Sequence, residues 1–238
     1  MSSTQTADRP STTDLSWTRW WNRTRYQLYA PIYDAVAQPL EYGRKRAIKQ
    51  IDLDAGDSVL IVGCGTGSDL NYLPDGVQVT AIDAAPAMVR RTQARAEELG
   101  LDIEARVGDA QTLPFDDDAF DAVLLHLILS VVPDPGAVAD ETARVLAPYG
   151  RASIYDKFVP EGTEPSLLRR ALNPVARVLF SDLTRRLDPL LSRAGLEGAE
   201  PRGSALGGLY TVARARLDEE ESSKKSSAHT PKPPRTVR

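Results

Sequence analysis

The chain has 238 residues, 42% of them apolar and 26% charged. That is a globular composition, and it excludes a wholly disordered, collagen-like or disulfide-stapled chain. The lone cysteine, Cys64, cannot form an internal disulfide and fits a reducing compartment. The net charge of −4 is unevenly placed: residues 17–49 carry +5, residues 50–157 carry −12 and residues 158–217 carry +3. Basic flanks around an acidic centre mark either an oriented surface or ordinary solvated helix faces.

Residues 1–16 are polar and Ser/Thr-rich, and are expected to be disordered and not a signal peptide. Residues 17–51 read as a helical cap, broken near Pro31 and Pro39. A strand over Ser58–Val62 then runs into Gly63-Cys64-Gly65-Thr66-Gly67. Further strands are expected over 77–82, 103–107, 119–129 and 150–155, with helices over 85–99 and 137–146. Alternating strands and helices predict an α/β, doubly wound, mostly parallel sheet, and 52–157 read as its ligand-binding core. Residues 158–195 break the rhythm. Leucines recur there at helical spacing among arginines, with Pro174 and Pro189 as breaks, predicting a helical lid over the substrate region. Closing strands are expected over 196–200 and 209–216, within a segment 196–217 that brings the sheet to seven strands. Residues 218–238 read as a disordered tail. The longest apolar stretch, 122–133, is shorter than the ~20 residues a membrane helix needs.

The strand–glycine loop–helix junction is a ligand-binding signal. Glycines there let the backbone turn tightly and approach a ligand. Asp83 follows Gly63 at the end of the next strand, where a carboxylate can accept from both hydroxyls of a ribose. A dinucleotide fingerprint would place its third glycine at position 68, which is Ser68. The third glycine is Gly67, a spacing that suits a nucleoside ligand without pyrophosphate. Glycines used only to make a turn remain the alternative at this point.

With Val107-Gly108-Asp109-Ala110, Phe120-Asp121 and Val132-Pro133-Asp134-Pro135 in the same order along the chain, the sequence resembles class I S-adenosylmethionine-dependent methyltransferases. Pro148-Tyr149-Gly150 stands where that family usually has Pro-Gly-Gly. Tyr29-Ala30-Pro31-Ile32-Tyr33-Asp34 and Ser130–Pro135 also resemble bacterial phospholipid (phosphatidylethanolamine) N-methyltransferases and ubiquinone/menaquinone-type methyltransferases. The resemblance implies that S-adenosylmethionine is held by Gly63, Cys64, Gly65, Thr66, Gly67, Asp83, Ala84, Met88, Asp109, Ala110 and His126. Ile61 departs from the acidic residue the family usually has two places before the first glycine, and Asp69 is the nearby carboxylate that would stand in.

Methyl transfer from a sulfonium needs positioning rather than a metal or a covalent nucleophile. His126 is the candidate base for an acceptor's proton; the alternative is a neutral core histidine. Tyr29 and Tyr33 are candidates to cap the site and steady a cationic head group, or they pack a helix. Cys64 reads as packing, and Asp116-Asp117-Asp118 as a metal patch or a solvated turn. Trp17, Trp20 and Trp21, interleaved with Arg19, Arg23 and Arg25, suit an anionic membrane surface or a lid packed on the sheet. The acidic core and the lack of a dedicated module argue against nucleic acid. The expected acceptor is an amine-bearing lipid or small amphiphile. A quinone-like or other small soluble acceptor, and a cofactor binder without turnover, are the alternatives. The expected location is cytoplasmic, peripheral to the inner face of the membrane. Neither the acceptor nor the oligomeric state follows from the residues.

Overall fold

The computed structural model describes residues 40–159, 164, 184–205, 210–217 and 219–228. Helix α1 (Glu41–Lys49) leads into β1 (Ser58–Val62), a 3₁₀-helix (Ser68–Tyr72), β2 (Gln78–Asp83), α2 (Pro86–Leu99), β3 (Ile103–Val107) and β4 (Phe120–His126). Then follow α3 (Pro135–Val145), β5 (Leu146–Asp156), α4 (Asp188–Arg193), β6 (Leu196–Ala205), β7 (Tyr210–Leu217) and α5 (Glu219–Ala228). The sheet has seven strands in the order β3-β2-β1-β4-β5-β7-β6. All neighbours run parallel except β7, which is antiparallel to both β5 and β6.

The central strands β1 and β4 are apolar along nearly their whole length because both of their faces are covered. One face carries Leu60, Val62, Val123, Leu125 and Ile154; the other carries Val59, Ile61, Ala122 and Leu124. The chain leaves β3 at one edge and re-enters at β4 beside β1. Strand order therefore reverses between β1 and β4, and the crevice at their carboxyl ends is where such sheets take ligands. α2 starts with Pro86 in its first turn and ends at Gly100 (φ +67°), the left-handed stop that glycine provides.

Three expectations about the elements need correction. The fourth strand stops at His126 rather than 129, because Leu127 has φ +59° and cannot continue a strand. The helix expected over 137–146 and the strand expected from 150 meet directly: α3 ends at Val145 and β5 begins at Leu146, with a register shift against β4 between Phe120 and Ala122. Within the tail read as disordered, Glu219–Ala228 is helical. The Lys225 ammonium anchors it by donating to the carbonyls of Ala143, Arg144 and Leu146 and to the Asp118 carboxylate. That satisfies the carbonyls at the C-terminal end of α3, a contact no local pattern announces. The tryptophan cluster, Tyr29, Tyr33 and residues 165–183 of the proposed lid lie outside the described residues.

Candidate cofactor and methyl-transfer site

A cavity of about 360 Å³ opens at the carboxyl ends of β1, β2 and β4. Of the residues assigned to the cofactor from the sequence, Gly63, Gly65, Asp83, Ala84, Met88, Asp109, Ala110 and His126 line it. Three backbone twists build the loop: Gly63, Gly65 and Gly67 have φ of +69°, +59° and +78°. The left-handed region is costly for residues with a Cβ, which is why glycine recurs. The Gly63 and Cys64 N–H groups both donate to the Ile82 carbonyl, tying the loop to the end of β2.

Asp83 is the carboxylate of the site. Its Oδ2 accepts from the Gly65 N–H at 2.9 Å and its Oδ1 from the Ala85 N–H at 2.8 Å. Burial raises the Asp83 carboxyl above its usual value, and the two N–H groups pull it part of the way back. Each oxygen keeps a further lone pair for a hydroxyl donor on a ligand in the cavity. These donors and acceptors fit a ribose. Asp109 accepts from the Gln111 N–H at 2.9 Å and shapes the next turn of the wall.

Not every residue assigned to the cofactor reaches the cavity. Cys64, Thr66, Gly67 and Asp69 do not line it. Gly67 is needed for packing: a Cβ there would sit 3.1 Å from the Thr92 Cα. The Thr92 hydroxyl, from α2, lies 3.0 Å from the Gly65 carbonyl and 3.3 Å from the Cys64 sulfur. Thr92 thus supports the loop from beneath, a role its place in a helix did not signal. Burial first, then the charge of Asp83, push the Cys64 thiol up to about 12, which agrees with packing rather than reactivity.

Asp69 does not stand in for the acid missing at Ile61. Its Oδ2 accepts from the Arg44 guanidinium at 2.9 Å and its Oδ1 from His126 Nδ1 at 2.7 Å. Burial alone would raise this carboxyl, but Arg44 and His126 more than offset it and hold it well below the usual carboxylate range. The other ring nitrogen, His126 Nε2, lies 2.9 Å from the Ser153 hydroxyl. Because an ionised carboxylate only accepts, Nδ1 carries the proton in this arrangement. Both nitrogens are therefore engaged inside the protein, and the His126 side chain is 1% exposed. To take a proton from the acceptor, as the sequence suggested, His126 would first have to give up one of these two contacts. The connectivity Asp69–His126–Ser153 resembles that of a hydrolytic triad. Ser153 is nevertheless fully buried within β5 and has no surface to offer a substrate.

The triple-aspartate run is committed to ion pairs at two of its positions. Asp117 pairs with Arg144 at 2.7 Å and Asp118 with Lys225 at 2.6 Å. Arg144 also donates to the carbonyls of Leu113 and Phe115, fastening this acidic loop to α3. No group of residues suited to hold a metal ion occurs among the described residues.

Sequence reasoning missed Leu127, Ile128 and Val131, which form the cavity wall after β4. The signal for Val131 was present, since it lies within the Ser130–Pro135 motif. None was present for Leu127.

Comparisons with known proteins agree with this geometry. A methyltransferase domain family matches residues 60–154. A phosphatidylethanolamine N-methyltransferase from Cereibacter sphaeroides is 32% identical over 77% of this chain and 91% of its own length. A 2-phytyl-1,4-naphtoquinone methyltransferase from Synechococcus elongatus is 38% identical over 55% of this chain and 61% of its own length. A solved SAM-dependent methyltransferase from Aquifex aeolicus superposes with a TM-score of 0.59 at 19% identity, over 79% of this chain and 98% of that one. The ribose-type carboxylate of Asp83, the glycine loop beside it, the strand order and a relative matched over nearly its full length lead to one conclusion: this chain belongs to the class I S-adenosylmethionine-dependent methyltransferases.

Proposed function

We propose that this methyltransferase acts on an amine-bearing lipid or small amphiphile at an anionic membrane surface. The observation carrying the reading is the extent of the likeness to the phosphatidylethanolamine N-methyltransferase, which spans 91% of that protein. The outer face of α1 supports it. Tyr42, Lys45 and Lys49 recur at helical spacing and are exposed, opposite the buried Gly43, Arg44, Ala47 and Ile48. An aromatic ring with cations on one stripe suits a headgroup layer. No helix among the described residues is long and apolar enough to cross a membrane.

S-adenosylmethionine supplies an activated methyl group on a sulfonium, so the protein's task is orientation. Asp83 would hold the nucleoside end, and the glycine loop would let the backbone approach it closely. The wall from His126 to Pro133 limits water and sets the direction of approach. With both His126 nitrogens engaged, the acceptor amine would enter as the neutral base, its proton already left in bulk solvent, and would attack the methyl carbon as the carbon–sulfur bond breaks.

A quinone-like acceptor is the second reading, favoured by the 38% identity to the naphtoquinone methyltransferase. Release of S-adenosylhomocysteine separates the two. Turnover with vesicles containing phosphatidylethanolamine, and none with a soluble naphthoquinol, supports the amine reading; the reverse result replaces it.

A further inference from the structure

The buried chain Arg44–Asp69–His126–Ser153 serves no chemistry in the site as described. Its members are held at 2.9, 2.7 and 2.9 Å, and all four are buried. They come from four separate elements: α1, the 3₁₀-helix after the glycine loop, the end of β4, and β5.

Immediately after His126 the backbone does something unusual. Leu127 adopts φ +59°, a conformation that residues with a Cβ rarely take. Its N–H donates to the Tyr155 carbonyl at 2.7 Å. This turn swings Leu127 and Ile128 into the cavity wall. Ile128 then lies so close to the glycine loop that a Cβ on Gly63 would sit 2.6 Å from its Cδ1. Strained residues persist only where their surroundings over-determine them.

We infer that the Asp69–His126–Ser153 clamp, braced by Arg44, holds Leu127 in its left-handed conformation and so fixes the wall of the methyl-donor site. Asp69, His126 and Ser153 are then positioning residues, acting through Leu127 and Ile128 rather than on substrate. Pinning an imidazole at both nitrogens removes the ring's freedom, and with it the freedom of the peptide that follows. Arg44 keeps the buried Asp69 charge compensated, so the clamp does not depend on a charge from the ligand.

The inference rests on reading the cavity as the cofactor site, and the test separates the two. Two measurements on the full chain are needed: hydrogen–deuterium exchange of residues 124–132, and calorimetry with S-adenosylhomocysteine. His126→Ala should speed exchange there at least about tenfold and weaken binding by a similar factor, while exchange in β1 and β2 stays unchanged. His126→Asn keeps an N–H where Nδ1 faces Asp69 but loses the Nε2 contact to Ser153, so it should recover most of what His126→Ala loses and match Ser153→Ala within about threefold. Adding Leu127→Gly to His126→Ala should regain at least about threefold in affinity over His126→Ala, because glycine takes the left-handed turn freely, though not the full wild-type value, since the Leu127 side chain is lost from the cavity wall. A merely structural histidine would not be rescued by a glycine at the next position. Wild-type exchange and affinity in His126→Ala, or a loss that neither His126→Asn nor Leu127→Gly repairs, overturns the clamp. Should His126→Ala fail to fold, Ser153→Ala removes only the Nε2 contact: faster exchange and weaker binding support the clamp, and wild-type behaviour in both overturns it. A wild-type chain that does not bind S-adenosylhomocysteine defeats the cofactor reading instead, and exchange at 124–132 still judges the clamp without any ligand.

Discussion

At the scale of single residues, two buried aspartates show opposite electrostatics. Among the described residues, Asp83 is bonded to the backbone N–H groups of Gly65 and Ala85, and burial raises its carboxyl. Its remaining lone pairs serve the ligand, so Asp83→Ala should weaken S-adenosylhomocysteine binding ~10–100-fold, the ~1.5–3 kcal/mol of a charge-assisted hydrogen bond. Calorimetry checks this, and unchanged affinity would remove Asp83 from the site. Asp69 instead faces Arg44 and the His126 N–H, and its carboxyl is held below the ordinary 3.8. Between that value and the lower folded one, the native state binds fewer protons than the unfolded chain. Stability from Asp69 is therefore complete above about pH 5 and is lost as pH falls, at up to about 1.4 kcal/mol per pH unit. Asp69→Asn removes one charge of the buried Arg44–Asp69 pair, and should cost about 3–5 kcal/mol at pH 7. The gap to wild type should narrow below pH 4 in urea melts; a gap independent of pH would show that the Asp69 charge is not what stabilises the fold. Asp83 was legible in the sequence because its spacing from Gly63 follows from strand and helix lengths. The Asp69–His126 pair joins residues 57 apart in the chain and exists only once β4 lies beside the loop. That is why the sequence alone offered His126 only as a candidate base.

At the scale of elements, the strands and helices of the core were legible because their apolar periods are pure. The errors fell where a single backbone angle decides. Leu127 ends β4 although the sequence around it stays apolar. Tyr149 is a second such position, with φ +63° and the residue 73% exposed near the start of β5. The family usually has glycine there, and the structure supplies the reason. Exchanging an exposed ring for conformational freedom at a left-handed site should raise stability, offset in part by the greater entropy of glycine in the unfolded chain. Tyr149→Gly is expected to gain up to about 1 kcal/mol by chemical denaturation, with methyl transfer unchanged. A loss of stability would mean that the ring makes contacts that outweigh the strain. The C-terminal helix escaped notice for a different reason. Its charged sequence has no apolar stripe, and one lysine reaching four oxygens across the α3–β5 junction does what a stripe would normally do.

At the scale of the whole molecule, the parallel core puts the cavity at the carboxyl ends of its inner strands, and charge is graded along the chain around it. The acidic segment 50–157 holds the cofactor site, and the basic segment 17–49 precedes it and ends in α1. Leu40, at the start of α1, and Leu127, in the cavity wall, both pack against the cluster of Ala47, Tyr155, Tyr210 and Val212, which links α1 to that wall. An anionic bilayer should attract the basic stripe and repel the acidic core, orienting the cavity edge toward lipid. Each Lys or Arg near such a surface contributes ~1 kcal/mol, and the attraction fades over a Debye length of ~8 Å at physiological salt. Vesicle binding should therefore be reversible, stronger with anionic than with neutral lipid, and weaker as salt rises. Replacing Tyr42, Lys45 and Lys49 with Ala should reduce it while S-adenosylhomocysteine affinity stays as in wild type, because all three side chains point away from the core. Co-sedimentation with the two vesicle types at low and high salt measures this directly. Full recovery in the supernatant under all four conditions would turn the proposal toward an acceptor that reaches the site from solution.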